Sequence, residues 1–152
     1  VMAVAMTRHR TPHHQVRGAG TFSISGLPMS HRSREALAAI ELADPMLRSG
    51  QLEEEDCRWA ELIVTFEPQH IEYIRRKHPD AAPRSATLPR LLRDLAATDQ
   101  PLSQRIAELE LARAELGDWE EVVDPAGGDQ DVFHACTAEI SRALAQLLPR
   151  IP

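Results

Sequence analysis

One short apolar stretch decides the fold class of this sequence: Ala60-Glu61-Leu62-Ile63-Val64-Thr65-Phe66. The stretch is rich in β-branched residues, which suits a parallel strand that is buried on both faces. Glu67-Pro68 follows directly and predicts the end of the strand, because proline has no backbone N–H for a sheet ladder. We therefore expect a buried strand over residues 60–66.

Outward from this strand, the sequence alternates between helical and extended patterns. The spacing of apolar residues predicts a helix before Pro12 and further helices over 30–42, 69–78, 89–95, 102–116 (in one or two pieces) and 131–148. Ser30 is predicted as the N-cap of the helix over 30–42. Two more strands are predicted over Val16–Gly20 and Arg84–Leu88. Strands that alternate with helices indicate an α/β fold, a parallel sheet with helices on both faces. No repeat, linker or low-complexity tract interrupts the pattern, so we expect one domain over residues 1–152.

The bulk composition excludes several classes of protein. A net charge of −6 and a pI near 5.6 argue against a nucleic-acid-binding surface. No apolar stretch approaches the roughly 20 residues that span a bilayer, so we expect no membrane partner. Two cysteines, Cys57 and Cys136, fit a reducing cytoplasm better than a secreted disulfide scaffold. The composition therefore predicts a cytoplasmic location.

Four stretches, in order, resemble the low-molecular-weight protein-tyrosine-phosphatase family of bacteria. The first runs from Val16 to Thr21 and on through Gly26–Ser30, and it is similar to the second strand of the family and the loop after it, with Gly18 in place of the usual serine. The others are Trp59–His70, similar to the third strand and the next helix start, Ser85–Leu88, similar to the fourth strand, and Asp124-Pro125-Ala126-Gly127-Gly128, similar to the Asp-Pro loop. Their order and spacing make the resemblance specific.

The resemblance implies a three-layer sandwich whose parallel sheet has four strands in the intact family. The family opens with a strand and a loop of Cys, five residues, Arg, Ser or Thr, then Pro and a helix. Here Val1-Met2-Ala3 looks like the first turn of that helix, so the strand and the loop are absent from this chain. The resemblance implies that this first strand lies in the interior of the sheet. Its loss would leave unpaired backbone groups on both neighbouring strands, so residues 1–152 are not expected to hold the fold alone. The expectation is that the true polypeptide is longer; the alternative is that another chain supplies the strand.

The chemistry implied by the resemblance is hydrolysis of a phosphotyrosine protein substrate through a cysteinyl-phosphate. A thiolate attacks phosphorus, an Arg clamps the phosphoryl oxygens, and a carboxylic acid protonates the leaving group. By resemblance Asp124 is that acid; read from the residues alone, Asp124 opens an Asx turn before Pro125. The loop, where present, binds phosphate or a similar oxyanion, and the mechanism needs no metal or other cofactor. A catalytically inactive relative that serves as a binding module and an arsenate-reductase-like enzyme remain alternatives.

Neither visible cysteine is expected to replace the missing nucleophile. Cys57 has Ile63 six residues on, where the motif requires Arg. Cys136 has Arg142 at the correct spacing, but Glu139 lies between them, glycine is absent and the segment has helical periodicity. In a helix the N–H groups already bond to carbonyls and cannot bind phosphate. We interpret Cys136 as a small buried hydrophobic residue.

Three other groups of residues have ordinary explanations. His9, His13 and His14 lack the carboxylate or Cys that completes a metal site, and Pro12 interrupts their helical spacing, so no metal ligand is predicted. Residues 75–78, with the sequence Arg75-Arg76-Lys77-His78, are interpreted as a solvated cationic face at the end of a helix. The two tryptophans, Trp59 and Trp119, are interpreted as packing residues rather than as walls of a substrate site.

Overall fold

The computed structural model describes residues 1–151. Within them lie seven α-helices and two β-strands: α1 (Met2–Arg10), α2 (His31–Ala38), α3 (Glu54–Trp59), β1 (Ile63–Thr65), α4 (Pro68–Lys77), β2 (Ser85–Thr87), α5 (Leu88–Asp94), α6 (Leu102–Ala107) and α7 (Gln130–Leu147). Short 3-10 turns cover Pro79–Arg84, Asp118–Glu120 and Leu148–Arg150. The predicted helices form with shifts of a few residues at their ends, except over 102–116, where only Leu102–Ala107 is helical.

The chain folds into two compact units. The first unit consists of Val1–Leu52 with Asp124–Leu144, and the second consists of Glu53–Val123 with the described residues from Ala145 onwards. Helix α7 therefore begins in the first unit and ends in the second. The expectation of a single domain over residues 1–152 stays a prediction.

Strands β1 and β2 form a parallel pair in the second unit. Their register places Ile63 opposite Ser85 and Thr65 opposite Thr87. All three residues of β2 are buried, whereas in β1 only Thr65 is fully buried. Helix α4 makes the crossover that a parallel pair requires. The predicted α/β class with a parallel sheet is confirmed, although the decisive stretch forms a strand only over Ile63–Thr65.

The predicted strand over Val16–Gly20 is wrong. Of these residues only Gly20 has a β-bridge, a parallel one to Gln51. Its N–H donates to Gly50 O at 2.8 Å, and its carbonyl accepts from Leu52 N at 2.8 Å. A strand needs several consecutive residues on one ladder, and here the pairing stops after a single residue. The segment is therefore extended but is not part of a sheet.

The core of the first unit lies between α1, α2 and α7. Its buried apolar side chains include Met2, Val4, Met6, Leu37, Phe133, Ile140 and Leu144. Two side-chain contacts fix α7 on α1, since Thr137 Oγ1 lies 3.3 Å from Met2 Sδ and Arg10 Nη2 donates to Ser141 Oγ at 2.7 Å. The long amphipathic helix predicted near the C-terminus is thus the main packing element of this unit.

Helix α2 has both of its ends defined by specific residues. Ser30 Oγ accepts a hydrogen bond from Ser33 N at 3.1 Å, which confirms the predicted N-cap. The helix ends at Ala38, before the predicted Leu42, because Glu41 adopts a left-handed φ of 59°. Leu42 N then bonds back to Leu37 O at 3.0 Å, the pattern of a Schellman motif.

The second unit contains a fully buried carboxylate, that of Glu120. It accepts hydrogen bonds from Thr87 Oγ1 at 2.7 Å, from Arg90 Nε at 2.8 Å and from Gly117 N at 3.0 Å. Arg90 Nη2 also donates to Glu120 Oε1, so the guanidinium binds both carboxylate oxygens in a bidentate pair. The network joins the end of β2 and the start of α5 to the turn at residues 117–120.

The charge of Glu120 is stabilised despite its burial. Burial acts to raise the pKa of this carboxyl, but hydrogen bonds from Arg90, Thr87 and the Gly117 N–H, together with the charge of Arg90, lower it below its ordinary value. A carboxyl with a lowered folded-state pKa contributes stability above its unfolded pKa. That contribution is lost as the pH falls through the folded-state pKa.

The interpretation of residues 75–78 as a solvated cationic face is wrong for Arg75. Its Nη2 donates to Leu111 O and to Ala114 O, each at 2.7 Å. Helix α6 has already ended at Ala107, and Glu110 has a left-handed φ of 46°. Arg75 therefore bonds carbonyls beyond the end of α6, and one of them, Leu111 O, would have accepted the N–H of residue 115 in a helix over 102–116.

Candidate functional site

The predicted acid Asp124 lies in the first unit, exposed at the start of an ordered turn. Its Oδ1 accepts a hydrogen bond from Ala126 N at 2.9 Å, which is an Asx turn. Gly128 N then donates to Pro125 O at 2.9 Å. Gly127 has a φ of 83°, so residues 125–128 have the glycine requirement of a type II turn. The Asx turn expected from the residues is formed, and Asp124 remains exposed.

Helix α7 begins immediately after this turn. Asp129 Oδ1 accepts a hydrogen bond from Val132 N at 3.1 Å and so caps the first turn of the helix. Gly128 packs so closely that a Cβ there would lie 2.8 Å from Val132 Cβ and 3.1 Å from Pro125 O. Residues 124–129, which we call the Asp124 loop, are therefore continuous with the helix in hydrogen bonding and in packing.

The two cysteines do not provide a nucleophile. Cys136 lies inside α7 and is 6% exposed; burial raises the pKa of its thiol, and the negative charges of Glu139 and Asp124 raise it further. Cys57 lies inside α3 and is 2% exposed; burial raises the pKa of its thiol, as do Glu54 and Asp56, while Arg84 opposes them. A reactive cysteine needs a lowered pKa and access to solvent. The Cys136–Arg142 spacing is a coincidence within a helix.

Replacement of Cys136 by Ser should leave unchanged any phosphatase activity of the kind that the resemblance implies. The thiol is 6% exposed inside α7 and is interpreted as a packing group, so its substitution should affect stability rather than turnover. The measurement is the kcat for an aryl phosphate, with thermal unfolding followed in parallel. Complete loss of turnover in a variant that unfolds at the same temperature would contradict the assignment of Cys136 as a packing residue.

The remaining candidates from the sequence form no site. Within residues 1–151 no group of three or more His, Cys, Asp or Glu side chains could hold a metal ion. His13 and His14 contact each other edge to face, with ring centroids 4.4 Å apart. No helix in that range is long and apolar enough to cross a membrane.

Trp119 lines a shallow open hollow of about 430 Å³ in the second unit. Arg93 lies over its indole ring at 3.8 Å from the centroid, and the ring itself is 45% exposed. Both arginines of the hollow already have carboxylate partners, Arg93 in Asp94 and Arg90 in Glu120. The polar network around Glu120 was missed from the sequence, because no motif or spacing relates Thr87, Arg90 and Glu120.

The architecture defines the class of protein as an α/β fold with a parallel β1–β2 pair and a long final helix. Neither a protein-family model nor a curated protein sequence matches the chain. Solved structures do match: the fold is that of the low-molecular-weight protein tyrosine phosphatases. The resemblance stated from the sequence is thus confirmed at the level of the fold.

Three of these structures illustrate the match. The YwlE arginine phosphatase from Geobacillus stearothermophilus has a TM-score of 0.74 at 23% identity, over 96% of this chain and 80% of that one. The low molecular weight protein tyrosine phosphatase from T. tengcongensis has a TM-score of 0.77 at 19% identity, over 99% and 89%. The tyrosine phosphatase Wzb from Escherichia coli K30, in complex with sulphate, has a TM-score of 0.77 at 14% identity, over 99% and 88%.

Proposed function

We propose that this chain belongs to a protein phosphatase in which Asp124 is the general acid. One observation carries the proposal: in a chain with the low-molecular-weight phosphatase fold, an exposed carboxylate stands on an ordered Asp-Pro turn directly before the last helix. An acid in that position needs a fixed backbone and an oxygen free to reach a leaving group. The Asx turn fixes the backbone at Asp124, and the exposure of this residue leaves its carboxylate accessible to a leaving group.

The proposed reaction has two steps. In the first, a cysteine thiolate attacks phosphorus, the S–P bond forms and the P–O bond to the substrate breaks, while protonated Asp124 gives its proton to the departing oxygen. In the second, a water molecule attacks phosphorus, Asp124 takes one of its protons, the S–P bond breaks and inorganic phosphate leaves. Neither cysteine of residues 1–152 is assigned as that thiolate, since Cys57 and Cys136 are both buried in helices.

The proposed substrate is a protein phosphotyrosine. The structural neighbours include tyrosine phosphatases and an arginine phosphatase, and one of them, Wzb from Vibrio vulnificus, is seen in complex with benzylphosphonate. Phosphoarginine is therefore the competing substrate to include in an assay. A cytoplasmic location is part of the proposal, and the two free cysteines support it.

A non-catalytic binding module is the second candidate function. It is favoured by the burial and raised pKa of both cysteines, which leave residues 1–152 without a thiolate. Such a relative would bind phosphorylated partners without turnover. Arsenate reduction on the same fold would need accessible resolving thiols, and the burial of Cys57 and Cys136 weighs against it.

The test uses the protein expressed from its complete gene. Its intact mass and its N-terminal sequence establish whether a Cys, five residues and an Arg precede Val1. Hydrolysis of phosphotyrosine and phosphoarginine peptides is then measured by phosphate release. Turnover of the phosphotyrosine peptide supports the proposal. Turnover of the phosphoarginine peptide alone would make phosphoarginine the substrate in place of phosphotyrosine. Absence of the loop together with absence of turnover would favour the binding module.

A further inference from the structure

The carboxylate of Asp124 is connected to helix α7 by a short series of contacts. Ala126 N binds Asp124 Oδ1, Gly128 N binds Pro125 O, and Asp129 Oδ1 accepts from Val132 N. The first two hydrogen bonds overlap over residues 124–128, and the third caps α7 from Asp129, the next residue in the chain. These contacts set the backbone position of an acid on this loop.

Glycine packing reinforces this connection. Gly127 needs its left-handed φ of 83°, which other residues adopt only with strain. Gly128 has no room for a side chain against Val132, the residue whose N–H Asp129 caps. The turn and the first turn of α7 therefore constrain each other. The helix itself is fixed in the first unit through Thr137 and Ser141.

We infer that Asp129 is the positioning residue for Asp124: by capping α7 it holds the acid in place. The inference rests on the proposed function for its catalytic consequence, while the structural coupling can be measured without any turnover. Asp129 touches no substrate atom in this role. Its carboxylate acts through the Val132 N–H, so any side chain that restores the cap restores the position of Asp124. Asn and Ser are such caps, and Ala is not.

The first arm of the experiment is amide hydrogen exchange on the full-length protein. Asp129→Ala should speed exchange at Ala126 and Gly128 about tenfold, because the first turn of α7 frays and the loop opens with it. Asp129→Ser should restore wild-type exchange at both amides. The amide of Ser33, which is bonded to Ser30 Oγ, is the internal reference and should not change. Unchanged exchange at Ala126 in Asp129→Ala would overturn the inference.

The second arm is kinetic and compares two aryl phosphates, one with a good leaving group and one with a poor leaving group. Asp129→Ala should lower kcat about tenfold for the poor leaving group only, with KM nearly unchanged, since a displaced acid matters where protonation is needed. Asp129→Asn should restore the rate. Asp56→Ala, which removes a comparable cap bond from Glu53 N in the second unit, is the matched control and should leave both rates unchanged.

The two arms separate failure of this inference from failure of the proposed function. If Asp124→Asn shows the leaving-group effect and Asp129→Ala does not, the positioning role is refuted while the acid role stands. If Asp124→Asn shows no such effect, the acid role is refuted, and the exchange data alone decide whether Asp129 holds the loop. A uniform rate loss for both substrates in Asp129→Ala, in step with a lower unfolding temperature, would reduce Asp129 to a purely structural cap.

Discussion

Replacing Asp124 by Asn should lower kcat for a phosphotyrosine peptide by about 10²–10⁴-fold, the usual contribution of a general acid. Asn cannot supply the proton, but its side-chain oxygen can still accept from Ala126 N and keep the Asx turn. The substitution therefore separates the two roles given to Asp124. The measurement is steady-state hydrolysis by the full-length protein, with an activated aryl phosphate as the second substrate, for which the loss should be much smaller.

The matched control for this prediction is Asp131→Asn. Asp131 is an exposed carboxylate in the first turn of α7, so its loss removes the same charge from the same region. We expect its rates to stay close to those of the wild type, apart from a small change in helix stability. Full activity of Asp124→Asn would show that the side chain serves the turn and not the chemistry.

Replacing Glu120 by Ala should destabilise the protein by about 3–5 kcal/mol, the usual cost of removing one partner of a buried ion pair. The Arg90 side chain is 10% exposed and would lose its bidentate partner, while Thr87 Oγ1 and Gly117 N would lose their acceptor. The loss is a large fraction of a typical stability of about 5–15 kcal/mol. Chemical denaturation, compared at constant slope, measures it.

Two further variants show whether the stability lost in Glu120→Ala arises because the charge of Arg90 is left buried without a partner. Arg58→Gln removes an exposed pair with Glu54 at 3.6 Å and should cost less than about 1 kcal/mol. The double variant Glu120→Leu with Arg90→Met removes both charges and should be more stable than Glu120→Ala, because no buried charge is left alone. If Glu120→Ala were as stable as Arg58→Gln, water would be replacing the carboxylate of Glu120 without loss of folding stability.

The sequence predicted the elements that depend on local patterns. The helix N-cap at Ser30, the crossover helix α4 and the Asx turn at Asp124 are all encoded by neighbouring residues, and all three form. The strand over Val16–Gly20 failed because its pairing depends on a distant partner, which is Gln51 at one residue only. The length of the strand predicted over residues 60–66 was overestimated for the same reason, because its ladder with β2 covers three residues.

The candidate site was predicted unevenly. The acid role of Asp124 came from the resemblance and stays a prediction, whereas the residues themselves, an acid followed by proline and two glycines, predicted the turn that forms. Glu120 was missed because its partners are 30 and 33 residues away, and nothing at the level of composition distinguishes it from the exposed Glu121 beside it. Arg75 was taken for a solvated cation for the same reason. Pairing across such distances becomes visible only when the chain has folded.

The position of Trp119 gives the molecule a built-in optical probe. Its indole stands next to Glu120 in the chain, half exposed, with the guanidinium of Arg93 stacked on one face. Indole fluorescence depends on both solvent contact and nearby charge, so the emission of Trp119 changes when the turn at residues 117–120 moves. A Trp59→Phe background would leave Trp119 as the single tryptophan among residues 1–152. The buried ion pair can thus be followed in real time without any added label.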